Sequence, residues 1–412
     1  MTDVLKISDV AQIVDCEHKT APVVPVEEAY GYAIGTPALR SDRINFSEAK
    51  PVSKETFNQW SQRTELRFGD VIFAREAPAG GLGWVDGKHN VCLGQRTVCI
   101  RADVKKIDSK FLYYKLHDPA IQQQIEKMSA GSTVHHINVA DIKELPLRNL
   151  PTLKEQQRAV EILYEIDKCI DLNLCIISKL EAMSRKLYEY WFMQFEFPNE
   201  NGDPFKSSGG KMEWSEELQK DIPQGWQVTE LSNLLKVNSA AYPKPKSPAG
   251  IEVIDLSVMP SGTFVLDTSN SSDNFSTNLF ELRKFDLLFG GIRPYLRKAG
   301  FSPIDGLVTG TVHSFRPIDH LDFNFALLTF VHESMFKFAI AHSKGTKMPV
   351  VAAKDLLSYK VAYKKEVSQK FQNVLEIHET IATKVRQNSE LRRLRDYLIP
   401  LVVNGIVDLS SK

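Results

Sequence analysis

Residue types able to do chemistry are scattered along this chain rather than gathered into one motif. Asp70 and Asp286 sit in matching contexts, FGDVIFA (68–74) and KFDLLFGG (284–291), and a carboxylate pair could serve acid–base catalysis. Each, however, sits in a turn that leads into an apolar strand-like run, and a carboxylate there suits turn chemistry better. His135 and His136 form a doublet that invites a metal reading, but no third ligand stands at metal spacing, so no metal site is expected. GGKM (209–212) lacks the spacing and the hydroxyl of a phosphate-binding loop and reads as linker. No GxGxxG follows a strand, and HExxH, GxSxG and an NPPY-like methyltransferase motif do not occur. The chain is therefore expected to have no catalytic residues and no cofactor of its own.

Composition narrows the classes further. With 412 residues, more than one domain is expected; 43% apolar and 25% charged residues are ordinary for a globular chain. Formal net charge is zero, which argues against strong autonomous binding to nucleic acid while leaving local basic patches possible. Cys16, Cys92, Cys99, Cys169 and Cys175 form no CxxC pair and read as reduced thiols. The N-terminal MTDVLKISDV is charged where a signal peptide would be apolar, and no apolar run approaches a membrane span, so a cytoplasmic location without membrane contact is expected.

The elements that must position any site are dominated by one stretch. Thr152 and Glu155 form a capping box behind Pro151, opening a helix predicted over 154–192, roughly 55–60 Å long at 1.5 Å per residue. Ala159, Ile162, Ile166, Cys169, Ile176, Leu180, Met183, Leu187 and Tyr190 make a heptad seam interrupted by Asn173, and Leu163, Ile170, Ile177 and Trp191 widen it. Turn chemistry follows in NENGDP and SSGG.

Around this helix the chain repeats. Gly131 recurs as Gly345 and Asp141 as Asp355, each 214 residues on, and Asp70 as Asp286, 216 on. A second helix is predicted over 367–405, with Phe371, Val374, Ile381, Val385, Leu391, Leu394, Leu398 and Leu401 on one side. His378 and Asn388 interrupt it, and Pro400 and Gly405 end it. The pattern predicts an α+β fold: two globular mixed α/β domains separated by two long helices packed as an antiparallel coiled coil, a pseudo-two-fold repeat. Residues 1–150 form the first domain, 151–197 the central helix, 198–225 turn and linker, 226–363 the second domain, and 364–412 the distal helix and tail. Asn173 and Asn388 either specify register across the coiled coil or sit exposed at its edge.

Leu145-Pro146-Leu147 leading into LPTLKEQQRAVEIL, then IDKCIDLN, then LYEYWFMQFEFPNENGDPFKSSGGKMEW and IPQGWQV (222–228), resembles the specificity (S) subunits of type I restriction–modification systems. The likeness covers the layout of the whole chain and departs at the distal helix, where KKEVSQ (364–369) stands for PTLKEQQ. It implies a DNA reader without catalysis of its own. Each target-recognition domain would read half of a bipartite double-stranded site. Two methyltransferase (modification) subunits would dock on the helical part, and restriction/translocase subunits would join them. S-adenosylmethionine, ATP and Mg would belong to those partners. The alternative is an assembly scaffold or an antirestriction-type protein that reads no bases.

Under that resemblance, the DNA-contact candidates are basic or polar residues of the framing loops, suited to base edges and phosphates. In the first domain they are Arg40, Ser41, Arg43, Arg75, Gln95, Arg96, Thr97, His135, His136 and Asn138. In the second they are Lys244, Lys246, Arg293, Tyr295, Arg297, Lys298, Thr309, Thr311, Lys344, Thr346 and Lys347. Ile166, Asn173, Leu180, Leu187, Trp191, Phe192, Ile381, Asn388 and Leu391 are the candidates for the helical spacer and subunit docking. Trp191, Phe192 and Phe195 read first as packing of the helix end, with docking as the second reading.

Overall fold

The structure, a computed structural model, describes residues 4–40, 43–76, 79–129, 136–242 and 250–407. Two compact units emerge, residues 1–168 with 392–412, and residues 169–391. The division falls inside both long helices, because each helix gives one stretch of its buried face to each unit's core.

The first unit carries a four-stranded antiparallel sheet in the order Ala11–Asp15, Thr97–Ala102, Val71–Ala74, Leu82–Trp84. A three-stranded sheet, Lys50–Val52, Gly31–Ile34 and Val91–Leu93, adds one parallel pair. The second unit repeats the plan. Its antiparallel sheet runs Leu235–Val237, Val312–Pro317, Leu287–Gly290, Ala299–Phe301, and a five-stranded sheet pairs Glu252–Ile254 parallel to Gly306–Thr309. Short antiparallel pairs close both units, Leu5–Lys6 with Pro146–Leu147 and Gln227–Glu230 with Lys360–Tyr363.

In both repeats a helical stretch is broken in two. Ser109–Leu116 stops before Pro119–Ser129, since proline cannot continue the hydrogen-bond ladder. Phe323–Phe330 stops before Glu333–Ala341 without a proline. There His332 adopts an extended backbone, and its side chain accepts from Ser334 N to cap the new helix.

The central helix spans Leu153–Tyr188, about 54 Å, and continues as a π turn, Glu189–Met193. Its start is the expected capping box: Thr152 N and Oγ1 donate to Glu155 at 2.7 and 2.8 Å. The seam differs in phase from the reading above. Leu163, Ile166, Ile170, Asn173 and Ile177 are buried, whereas Ile162, Ile176, Met183 and Tyr190 are exposed. Both rows are apolar and adjacent, so periodicity alone did not choose between them.

The distal helix begins as Lys365–Lys370, tightens through Phe371–Val374, and runs as Leu375–Val403. Pro400 lies inside it rather than ending it. Leu394 is exposed, while the supposed interruptions His378 and Asn388 are wholly buried.

The two helices pack antiparallel. In the first unit, Ala159, Val160 and Leu163 share a core with Ile399, Val402 and Val403, and Arg395 Nη1 donates to Asp167 at 2.9 Å. In the second, Ile177 packs with Ile381, Ala382 and Val385, and Asn173 Nδ2 donates to Asn388 Oδ1 at 2.8 Å. Asn173 is 7% exposed and Asn388 0%, so the pair is a buried register lock and not an edge. Leu180 and Leu187 lie partly buried on the core of the second unit. Leu391 is half-buried. Trp191 and Phe192 pack on Phe371 at 5.2 and 5.0 Å between ring centroids, and Phe195 on Trp226 at 5.5 Å. These aromatic residues close the core. Among the described residues, no helix is long and apolar enough to cross a membrane.

Candidate nucleic-acid interface

The frame of each candidate site begins with the carboxylates singled out from sequence. Asp70, 2% exposed, accepts from Arg67 N at 2.8 Å and from Arg101 Nε and Nη2 at 2.8 and 2.6 Å. Asp286, 1% exposed, accepts from Arg283 N at 2.9 Å and from Arg316 Nε and Nη2, both at 2.7 Å. Each aspartate thus ties a turn and, in addition, anchors an arginine of the neighbouring strand through two bonds. That hydrogen bonding raises the pKa of Arg101 and Arg316 above the ordinary guanidinium value. The residue before each aspartate takes the left-handed backbone, Gly69 at φ 90° and Phe285 at φ 68°.

The strands that start at these turns, Val71–Ala74 and Leu287–Gly290, deliver their far ends to a common backbone arrangement. In the first unit Arg75 N donates to Arg96 O at 3.0 Å, Ile137 N donates to Arg75 O at 2.9 Å, and Glu76 bridges His136. In the second, Gly291 N donates to Thr311 O and Val351 N to Gly291 O, both at 3.0 Å, and Ile292 bridges Val350. Three separate segments thus meet at one place in each repeat.

Side chains on the two frames differ. In the first unit Arg75 is 8% exposed and fully engaged: Nη1 donates to both Asp15 carboxylate oxygens at 3.1 Å, Nε to Ile137 O at 3.2 Å, and Nη2 to His136 Nε2 at 3.0 Å. An arginine can only donate, so His136 Nε2 is the acceptor. Arg96, at φ 67° in the turn between strands, is exposed and pairs with Glu76. Thr97 is buried, with Oγ1 donating to Gly94 O at 2.9 Å. Gln95 accepts from Thr20 Oγ1 at 3.0 Å. Asn138 caps Val139–Lys143 together with Asp141. Arg40 is exposed at the end of Thr36–Leu39. Arg43 lies 3.9 Å from Asp167 on the central helix instead of at the frame. Arg75 and Thr97 therefore hold the loops together, and Gln95, Arg96, His136 and Asn138 form the outward-facing set. Ser41 and His135 lie outside the described residues.

In the second unit Lys344 and Val350 exchange backbone hydrogen bonds at 2.9 Å, so the loop between them, with Thr346 and Lys347, stands out as an exposed hairpin. Arg293, at φ 52°, is held against it by its N–H to Pro349 O at 2.7 Å, and Tyr295, half-exposed, follows two residues on. Thr311 is exposed beside the frame and shares a 2.9 Å hydroxyl hydrogen bond with buried Thr309. Gly291 leaves room for His313; a Cβ there would lie 2.6 Å from its Nε2. Arg297 is paired with Glu333 at 2.8 Å, and Lys298 Nζ donates to Leu256 O at 2.7 Å. Lys244 and Lys246 lie outside the described residues.

Sequence reasoning missed Asp15, Glu76, Arg101, Arg316 and His313. Arg101 and Arg316 carried a readable signal, since they recur 215 residues apart, almost the spacing of the aspartates they bind. Thiol chemistry is muted where burial pushes Cys92 and Cys99 up to about 12. Asp15, Cys16 and His18 approach ligand spacing, but the Asp15 carboxylate is already taken by Arg75.

The DNA specificity domain of type I restriction–modification matches residues 2–182. The specificity subunit of the type I restriction enzyme MjaIX from Methanocaldococcus jannaschii is 24% identical across 98% of this chain and 93% of its own length. That of HindI from Haemophilus influenzae is 20% identical over 82% of this chain and 87% of its own. Among solved structures, the type I S subunit from M. genitalium aligns over 98% of this chain and 97% of its own, at 16% identity and a TM-score of 0.48. Residues 2–182 thus resemble a type I restriction–modification DNA specificity domain, and the relatives similar to this chain over most of its length are specificity subunits of type I restriction enzymes.

Proposed function

We propose that the chain reads a bipartite, asymmetric DNA site, one half with each recognition domain, taken as residues 1–150 and 226–363. The observation that carries this reading is the repeated frame itself. Two sites share backbone connections and differ in the side chains they present, which suits two different half-sequences. The long helices fix the distance between the halves. Methyltransferase subunits dock along them and bring S-adenosylmethionine; restriction subunits add ATP- and Mg-dependent translocation. An exposed apolar row on the central helix, Leu172, Ile176, Met183 and Tyr190, supports docking there, since none of the described residues buries it. A formal net charge of zero fits a subunit whose partners share the phosphate contacts. Such a complex works in the cytoplasm.

Spacer length tests the reading. Four residues inserted in each long helix beside the Asn173–Asn388 pair add about 6 Å. The unmethylated gap in the site, mapped by methylation profiling of the assembled complex, is expected to grow by about two base pairs at 3.4 Å each. An unchanged gap in a folded, active complex would sink the ruler idea.

A further inference from the structure

Glu76 is an acidic side chain at the first unit's frame, and its position in the second unit holds an apolar residue, Ile292. Its side chain is 9% exposed; among the described residues its cationic contact is Arg96, which is 56% exposed, and the ring of His136 lies beside it with Nδ1 at 3.6 Å. Oε1 takes no hydrogen bond of normal geometry; it meets Arg96 as a bare ion pair. A carboxylate this buried is costly once its partner leaves. Arg96 sits on a left-handed turn with its guanidinium at the surface, so it can swing to a new acceptor while Glu76 stays behind.

The consequence follows from donor and acceptor types. Guanine presents N7 and O6 as acceptors in the major groove, and its partner cytosine presents the N4 amino group as a donor. A guanidinium and a carboxylate side by side complement the two edges of a G·C pair. We propose that Glu76 is a specificity-determining residue that reads one G·C pair together with Arg96: Arg96 donates to guanine, and cytosine N4 donates to the carboxylate that Arg96 has left. DNA without that amino group leaves Glu76 buried and unpaired. Arg96 then stays on Glu76 and its contact with the wrong sequence is lost, so discrimination comes from the penalty as well as from the contact. The proposal rests on the reading of the first unit as a DNA reader.

The test uses the assembled complex with its methyltransferase subunits and a library of duplexes. The half-site of the first unit is randomised and that of the second held constant. Wild type is expected to prefer G·C at one position by roughly ten- to a hundredfold. Glu76→Gln keeps the shape and removes the charge; it is expected to reduce that preference below about threefold, leave the other positions intact, and hold or raise binding to unrelated duplex. Arg96→Lys keeps the charge and loses the two-pronged donor; its loss is expected at the same position. The proposal is overturned if Glu76→Gln keeps full discrimination, if all positions weaken together, or if the two variants map to different base pairs. A wild-type complex with no base preference anywhere in the randomised half-site would instead overturn the DNA reading beneath it.

Discussion

Beyond the strand Val71–Ala74 the first unit places Arg75 and Glu76; beyond Leu287–Gly290 the second places Gly291 and Ile292. The backbone partners of these residues are the same in both, and so are the buried aspartate–arginine anchors at the opposite strand ends. The charge is not. The first unit closes its basic groups onto its own carboxylates, Arg75 on Asp15 and Arg96 on Glu76, while the second leaves Lys344 and Lys347 exposed on a hairpin. The comparison teaches that the frame and the presented surface vary independently. The anchors stay while the residues at the strand ends change.

The largest expected effect tests whether the anchors are equivalent. Asp70→Ala and Asp286→Ala each leave an arginine and a turn N–H without their acceptor, at a cost of about 3–5 kcal/mol. Chemical denaturation should show each variant weakening its own unit; a loss confined to one would break the equivalence.

A second prediction separates the units by acid. His378 donates from Nδ1 to Asn324 at 2.6 Å, and burial lowers its pKa to about 4. Its counterpart in the repeat, 215 residues earlier, is buried Leu163. The folded chain keeps His378 neutral, whereas the unfolded chain takes up a proton near pH 6.5. The second unit is therefore stable with respect to this group above about pH 6.5. It loses up to about 3 kcal/mol as pH falls from there toward 4. His378→Leu should flatten that slope in denaturation midpoints measured across pH. An unchanged slope would assign the acid sensitivity elsewhere.

The smallest effect concerns phosphate contact. Lys344→Ala and Lys347→Ala should each reduce the slope of log binding constant against log salt by about 0.9 for the assembled complex, with the preferred sequence retained. Arg75→Ala should leave that slope unchanged, because its charge is spent within the fold. Equal slopes for all three would erase the proposed contrast between open and closed sites.

Local chemistry made much of this legible. The capping box at Thr152, the repeat, the turn role of Asp70 and Asp286, and the polar break at Asn173 all depend on residues close in sequence or on a period. What could not be read needed partners far along the chain. Arg75 looks like a free cation until Asp15, sixty residues away, is placed beside it. Thr97 looks like a hydroxyl for phosphate until Gly94 O and Ile34 O claim it. The helical seam failed for a different reason: two adjacent apolar rows offered the same period, and only the distal helix's own buried row selects one. Polarity alone leaves Asn388 open between a register pair and an exposed edge and marks His378 as an interruption, whereas each has a polar partner far along the chain, Asn173 and Asn324.

The first unit is built from residues at both ends of the sequence, with Ile7 and Val10 in the same core as Ile399, Val402 and Val403. During synthesis its N-terminal sheets emerge early, yet Leu163 and its neighbours stay uncovered until residues beyond 391 leave the ribosome. The second unit is contiguous in sequence and can finish first. The order of birth and the order of completion are therefore reversed, and a nascent chain presents an unfinished apolar surface on the very unit it made first.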